Sequence, residues 1–355
     1  MKIAIDSRYN GKSGIGTFIE NIVDEMINNH PEHNYLLIVE QGKEFRYNKE
    51  NVSVLYTSIQ PFSLKELVAF PTRVINQCDA YFTPYVNIPG GIKIPVFSTI
   101  HDVVFFDVNG LCSAIGRMFR KLVYRRAIQL SKMIFTVSTF SKKRILYNFP
   151  TNKQIEVLYN GVSKSCEQYA PRSPIIKQDY FIYVGNIKRH KGLKSLVDAF
   201  EKAQKKGLSS KLVIVGSNDK FRTSDNFLST RIENNPKIEF TGWVTNERLV
   251  ELIAQAKALV QPSLYEGFGI PPLEAIYLNT DVILSDIPVF KEIYSEIPDC
   301  FFEMSNLEDL ANRLLHFSPN PHLNEIKSAI LKRYNYKQSA SRVIEVIMNQ
   351  INLQK

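Results

Sequence analysis

A chain of 355 residues, 44% hydrophobic and 22% charged, is globular in composition and long enough for two domains, which excludes collagen, coiled coil and wholesale disorder. Lys and Arg outnumber Asp and Glu by 44 to 35, and the net charge of +9 favours an anionic partner without choosing among nucleotide, nucleic acid and acidic lipid. No run reaches the roughly 18 apolar residues of a membrane span. Asp6 follows Met1 too closely for a secretory leader, so a cytoplasmic protein is expected. Cys78, Cys112, Cys166 and Cys300 lie far apart without a C-x-x-C pair and form neither a zinc pattern nor a disulfide framework.

In chain order, short β-branched or aromatic runs read as strands at Lys2–Asp6, Tyr35–Glu40, Val52–Tyr56, Ala80–Thr83, Val96–Ile100 and Met133–Val137. A second series follows at Tyr180–Val184, Lys211–Val215, Ile238–Thr241, Ala258–Gln261 and Val282–Ser285. Helix-length segments separate many of them, among them Thr17–Asn29, Ala114–Gln129, Gly192–Lys206 and Glu247–Ala256, and Tyr336–Asn352 reads as a terminal helix. Strand–helix alternation implies parallel sheets covered by helices, and the alternation starts twice. The polar, proline-containing stretch 164–178 reads as a linker between an N-terminal domain, 1–163, and a C-terminal domain, 179–335. The expected class is α/β, with two Rossmann-like domains facing a cleft.

Four strand-end segments could carry chemistry. Gly11, Gly14 and Gly16 in Asn10–Thr17 follow the first strand, where glycines allow a tight turn close to a ligand; Ile19 stands where a complete G-x-G-x-x-G would have its third glycine. A plain β–α turn explains the segment equally well. His101 and Asp102 follow the strand ending at Ile100, at the carboxyl edge where open α/β sheets bind ligands. Lys188, Arg189, His190 and Lys191 crowd the start of a helix, where cations oppose the helix dipole unless an anion binds there. The fourth segment, Gln261–Ala275, is the most informative. Pro271 and Pro272 suit a first helical turn but donate no N–H, so an amide cradle would come from Gly267, Phe268, Gly269 and Ile270. Glu266 precedes that helix and Glu274 lies within it, so both carboxylates can face one site; simple capping is the plainer alternative.

The Glu266-x7-Glu274 element enclosing Gly267-Phe268-Gly269-Ile270-Pro271 closely resembles the signature of the retaining GT-B glycosyltransferases of family four, the group 1 type. Tyr183-Val184-Gly185 with Lys191-Gly192 resembles their phosphate loop, and Phe240-Thr241-Gly242-Trp243-Val244 resembles their base-pocket turn. Gly14-Ile15-Gly16, Ile100-His101-Asp102, Val137-Ser138 and Asn160-Gly161-Val162 fall in the family's order. The resemblance implies a GT-B fold and transfer of a hexose, such as mannose or rhamnose, from a nucleotide-diphosphate sugar to a glycan or lipid-linked oligosaccharide during surface polysaccharide assembly. It makes His101, Lys191 and Glu266 the catalytic candidates. Glu274 would hold the ribose, Glu266 the donor sugar, and Phe268, Gly269 and Ile270 the sugar or phosphates. Lys191 would hold the diphosphate, Gly242, Trp243 and Val244 the base, and Gly14 and Gly16 would approach the phosphate. Many members carry Arg where this chain has Asn186, which leaves Arg189 or Lys188 as the second cation.

The donor is expected to be a GDP-mannose type, and no cofactor is implied beyond this co-substrate. With no D-x-D element in place, metal-independent transfer is expected. The family also implies retention of anomeric configuration, an acceptor side in the N-terminal domain, and a C-terminal helix, 336–355, packed back onto that domain. The competing reading is a catalytically idle nucleotide-sugar-binding scaffold of the same fold. Nucleic-acid recognition lacks any supporting pattern. Finally, Arg117, Arg120, Lys121, Arg125, Arg126 and Lys132 interleave with apolar residues in one helix, which could lie on an anionic membrane surface as a peripheral anchor or be an ordinary helix with a solvated basic face.

Overall fold

A computed structural model of the chain describes residues 1–9, 11, 13–43, 47–169, 175–216 and 226–353. These fall into two compact units, Met1–Asn160 with Asn335–Lys355, and Gly161–Tyr334.

The first unit is built on β1 (Lys2–Asp6), α1 (Ser13–Asn29), β2 (Asn34–Glu40), β3 (Val52–Thr57), α2 (Lys65–Val68), α3 (Thr72–Ile75), β4 (Ala80–Thr83), β5 (Val96–Thr99), α4 (Val104–Asp107), α5 (Ala114–Leu130), β6 (Ser131–Thr136), α6 (Thr139–Asn148) and β7 (Ile155–Val157). Its strands form a parallel sheet in the order β3-β2-β1-β4-β5-β6-β7. The central strands are buried on both faces, which is why they read as continuous apolar runs rather than alternating ones. Right-handed crossovers put α2, α3, α5 and α6 on one face and α1 on the other. The helix Tyr336–Asn352 packs along α1, with the Ser339 hydroxyl donating to the Tyr159 carbonyl at 2.6 Å and Arg342 paired to Glu156 at 2.6 Å. Strand β7 does not stand out in the sequence, because three residues with a central Glu156 are too short to show a period.

The second unit contains α7 (Lys164–Glu167), β8 (Tyr180–Val184), α8 (Leu193–Lys205), β9 (Lys211–Val215), α9 (Asn226–Asn234), β10 (Ile238–Gly242), α10 (Asn246–Gln255), β11 (Ala258–Gln261), α11 (Ile270–Tyr277), β12 (Asp281–Ser285), α12 (Pro288–Ile293), β13 (Phe301–Phe302), α13 (Leu307–Leu315) and α14 (Leu323–Arg333). Its parallel sheet runs β10-β9-β8-β11-β12-β13. The core joins β8, β9 and β11 to α8 and α13 through Phe181, Phe200, Ile214, Val260 and Leu310. The stretch read as a plain linker therefore contains a helical turn: α7 begins at Lys164 and buries Cys166, an apolar side chain that anchors an otherwise polar segment. Residues 170–174 of that stretch lie outside the described residues.

Candidate functional site

In the second unit two loops leave the carboxyl ends of neighbouring central strands. After β8, Gly185–Lys188 leads into a 3₁₀ turn, Arg189–Lys191, and then into α8. After β11, Pro262–Gly269 leads into α11. Gly192 joins the two segments closely: its φ is +70°, and a Cβ there would lie 1.8 Å from the Pro262 carbonyl oxygen. No other residue permits that approach. The Leu264 N–H donates to the His190 carbonyl at 2.8 Å.

Across this seam Lys191 Nζ donates to both oxygens of Glu266, at 2.7 and 2.6 Å. The Ser263 hydroxyl adds a third bond to Glu266 at 2.8 Å, and Gln261 Nε2 donates to Ser263 at 3.1 Å. The cation of one motif and the carboxylate of the other thus meet in a partly buried pair that neither motif predicts alone. Asn186, Lys188 and Arg189 are exposed, whereas His190 is buried and burial, with Lys191 beside it, lowers its pKa to about 4. His190 is therefore a neutral packing residue at physiological pH, not one of the solvated cations.

Glu274 lies in the second turn of α11, buried, with Oε1 accepting from the Ser163 hydroxyl at 2.5 Å. Burial raises its pKa, and hydrogen bonds from Ser163 and Cys166 oppose the rise. Glu266 and Glu274 have different hydrogen-bond partners, Lys191 and Ser263 for the first and Ser163 for the second. Both act electrostatically on the Tyr294 hydroxyl, which donates to the Gly269 carbonyl at 2.5 Å. Gly269 itself has φ +97°, and a Cβ there would meet the Phe290 ring at 2.5 Å. Pro271 and Pro272 occupy the first turn of α11, so Gly267–Ile270 supplies the amides on that side.

The third strand-end turn completes the edge. Gly242, φ +70°, ends β10 at a register shift, and Trp243 beside it is 75% exposed, followed by half-buried Val244. The Gly216 N–H donates to the Gly242 carbonyl at 3.1 Å and the Gly185 N–H to the Val215 carbonyl at 3.0 Å, so backbone bonds run from the Gly185 loop to the Gly242 turn.

The first unit places its candidates at the carboxyl edge of its own sheet. Gly14 and Gly16 lie inside α1, which begins at Ser13 and not at Thr17; a Cβ on Gly16 would sit 2.5 Å from the Tyr9 carbonyl, so this residue packs the helix onto the preceding turn. Gly14 has open space around it. Asn10 and Lys12 of that motif lie outside the described residues. His101 bonds the Pro84 carbonyl through Nε2 at 2.8 Å and packs edge-to-face on Phe18 at 4.9 Å; burial lowers its pKa to about 4. Asp102 accepts from the Val104 N–H at the start of α4.

Sequence reasoning missed a buried charge cluster at the end of β1. Arg8, Asp6 and Glu66 are all fully buried. Arg8 donates to Asp6 at 2.9 and 2.6 Å, to Glu66 at 2.5 Å, to the Tyr85 hydroxyl at 2.7 Å and to the Ile59 carbonyl at 2.8 Å, and its guanidinium lies 4.4 Å from the centre of the Phe70 ring. Tyr81 and Tyr85 donate to Asp6, and the Phe62 N–H and Asn87 donate to Glu66. The visible trace in the sequence is the polar run Asp6-Ser7-Arg8 ending an apolar strand; Glu66, 58 residues further on, gives no sign of joining it.

Among the described residues no group of three or more His, Cys, Asp or Glu side chains could hold a metal ion, and no helix is long and apolar enough to cross a membrane.

Residues 167–342 match the family model for glycosyl transferases group 1. This segment, about half of the chain, belongs to that family. The chain is 35% identical over 199 residues to the O-antigen chain mannosyltransferase RfbU of Salmonella typhimurium strain LT2, covering 55% of this chain and 53% of that protein. It is 26% identical over 233 residues to O-antigen chain mannosyltransferase B of Escherichia coli, covering 61% and 59%. The chain thus spans about half of the first relative's length and under two thirds of the second's. Among solved structures it is similar to sucrose-phosphate synthase from Thermosynechococcus elongatus, with a TM-score of 0.76, 16% identity and full coverage of both chains. That likeness is one of fold: two Rossmann-like α/β units, the GT-B architecture.

Proposed function

We propose that this protein is a retaining, metal-independent glycosyltransferase that moves mannose or a related hexose from a nucleotide-diphosphate sugar to a glycan or polyprenyl-diphosphate-linked acceptor in surface polysaccharide assembly. The observation that carries the reading is the Lys191–Glu266 pair, which joins the phosphate-type loop after β8 to the Glu-x7-Glu loop after β11 within the segment of the group 1 model. The mannosyl donor rests on what the O-antigen relatives are named for.

In this reading the second unit holds the donor and the first holds the acceptor. Glu274 takes the ribose in exchange for Ser163. Gly242, Trp243 and Val244 border the base, with Trp243 exposed for stacking. Donor binding draws the Lys191 ammonium from Glu266 onto the diphosphate, and Glu266 then accepts from sugar hydroxyls. Asn186 and Arg189 lie within the loop that faces the phosphates, and Gly14, Gly16 and His101 belong to the acceptor side. When the bond between the anomeric carbon and the phosphate oxygen breaks, its electron pair moves onto that oxygen. Lys191, the amides of Gly267–Ile270 and the start of α11 stabilise the charge. The acceptor oxygen attacks from the same face and passes its proton to the leaving phosphate. His101, with its pKa near 4, is neutral and can accept or donate a hydrogen bond but carries no charge.

The test is a thermal-shift panel with UDP, GDP, dTDP and ADP on wild type and Glu274→Ala. A ligand at 100 times its Kd stabilises by about 2.7 kcal/mol, a shift of several degrees. GDP acting alone, with the effect lost in Glu274→Ala, is the expected result. No response to any diphosphate would overturn the donor site and favour an idle scaffold of the same fold.

A further inference from the structure

The first sheet changes direction between β1 and β4: β2 and β3 continue it on one side, and β5, β6 and β7 on the other. In an open parallel sheet, ligands bind at the carboxyl ends of the strands where the order reverses. Three aromatic rings meet at that point of the first unit. Tyr9 follows β1, Tyr85 follows β4, and Phe62 joins them from the connection between β3 and α2. The Phe62 and Tyr85 ring centres are 5.1 Å apart, Tyr9 and Tyr85 5.9 Å, and Tyr9 stands edge-to-face to Phe62 at 6.0 Å.

Phe62 is 51% exposed, yet its backbone is held where a bulky side chain rarely goes. Its φ is +65°, and among the described residues Asn279 is the other non-glycine with a positive φ. Asparagine tolerates the left-handed region through its short polar side chain; phenylalanine has no such relief. The surroundings impose the conformation. The Phe62 N–H donates to Glu66 at 2.8 Å, and Glu66 is itself fixed by Arg8 at 2.5 Å and by Asn87. Arg8 also donates to the Ile59 carbonyl at 2.8 Å, so the chain is tied down on both sides of Phe62. Buried Tyr85 is locked from within the same cluster, its hydroxyl donating to Asp6 at 2.6 Å and accepting from Arg8 at 2.7 Å. The backbone of Tyr9 is fixed by α1, which approaches its carbonyl at Gly16. A buried ion cluster and a left-handed phenylalanine each cost stability. Together they hold one ring open to solvent on a rigid support, an outcome that core packing does not require.

We infer that Phe62, with Tyr9 at its edge, is a stacking subsite for a pyranose ring of the acceptor saccharide. A pyranose has an apolar face of C–H groups that lies flat on an aromatic ring, while its hydroxyls point outward around the rim. The Tyr85 hydroxyl is engaged by Asp6 and Arg8, whereas that of half-buried Tyr9 takes no part in the cluster and suits a sugar hydroxyl. An anionic ligand does not fit, because Arg8 is fully buried and already neutralised by two carboxylates. The inference rests on the glycosyl transfer proposed above and concerns its acceptor alone.

The experiment is saturation-transfer NMR on the full chain, with the methyl α-glycosides of mannose, rhamnose, galactose and N-acetylglucosamine as separate probes. Wild type is expected to saturate the ring C–H protons of at least one glycoside more strongly than its methoxy group. Phe62→Gly adopts the positive φ without strain but removes the ring, and should lose that signal. Phe62→Trp keeps a ring in place and should retain it, with the indole emission changing as glycoside is added. That second readout holds even where the glycine variant unfolds. The thermal response to diphosphates, measured on the same proteins, should stay as in wild type. Absence of saturation for all four glycosides, equal saturation in wild type and Phe62→Gly, or an unchanged emission of Phe62→Trp overturns the inference. A diphosphate response without glycoside saturation removes this subsite and leaves the donor reading standing. Glycoside saturation that depends on Phe62, without any diphosphate response, supports the saccharide site and removes the transfer reading.

Discussion

Replacing Arg8 by Met removes the one cation from a cluster whose two carboxylates, Asp6 and Glu66, are fully buried. Five side-chain hydrogen bonds go with it, and the Ile59 carbonyl and both acids lose a donor that water cannot replace without opening the core. Breaking a buried ion pair by removing one partner costs about 3–5 kcal/mol, because the other charge stays behind unpaired. At roughly 2–4 °C per kcal/mol for a unit of this size, melting should fall by about 6–20 °C. The pH dependence gives a sharper test. Burial already raises the pKa of Glu66, and Arg8 opposes that rise. Without Arg8 the folded Glu66 carboxyl holds a proton that the unfolded chain releases, so the variant regains stability as pH falls from 8 toward 5. The deficit should therefore shrink on mild acidification, and Arg8→Met with Glu66→Gln should recover part of it at pH 7.5. Calorimetry across pH, with hydrogen exchange at residues 2–6 and 80–83, reads both effects. A loss below about 2 °C, or a deficit that widens as pH falls, would refute the view of Arg8 as the charge that holds this cluster folded.

Lys191→Met should lower turnover by about 10²–10³-fold and abolish the diphosphate-dependent rise in melting temperature, measured by product formation and thermal shift. Full turnover by this variant would remove Lys191 from the donor site. Transfer should continue in EDTA; complete loss, restored by manganese, would reverse the metal-independent reading. His101 and His190 both have folded pKa values near 4, below the ordinary value of 6.5, so the folded state binds fewer protons between these pH values. Stability should then fall as pH is lowered from 6.5 to 4, and His190→Phe should flatten that slope in chemical denaturation. A slope unchanged by the substitution would show that His190 is not one of its sources.

The strands of both sheets were legible because parallel strands buried on two faces are apolar throughout: β1, β4, β8, β9 and β11 have the bounds read from the sequence. The start of α1 was misplaced because Gly14 and Gly16 are poor helix formers, and Gly16 is accommodated there by its close approach to the Tyr9 carbonyl. Strands β7 and β13 escaped because three and two residues cannot display a period. At the candidate site the motifs themselves were visible, since glycine, proline and acid spacing is local chemistry. Their pairing was not: Lys191 meets Glu266 across 75 residues, and Glu274 meets Ser163 across 111.

The sequence by itself determined the α/β alternation, the strand-end position of each candidate motif and the acid-free stretch between Asp107 and Glu156, because these depend on neighbours along the chain. Only the tertiary structure decided which charges are neutralised and which stay exposed. It buries Arg8 between two carboxylates, engages Lys191 with Glu266, and leaves the apolar side chains of α5 uncovered. Burial and charge pairing are properties of three-dimensional packing, and no one-dimensional spacing encodes which partner a side chain will find.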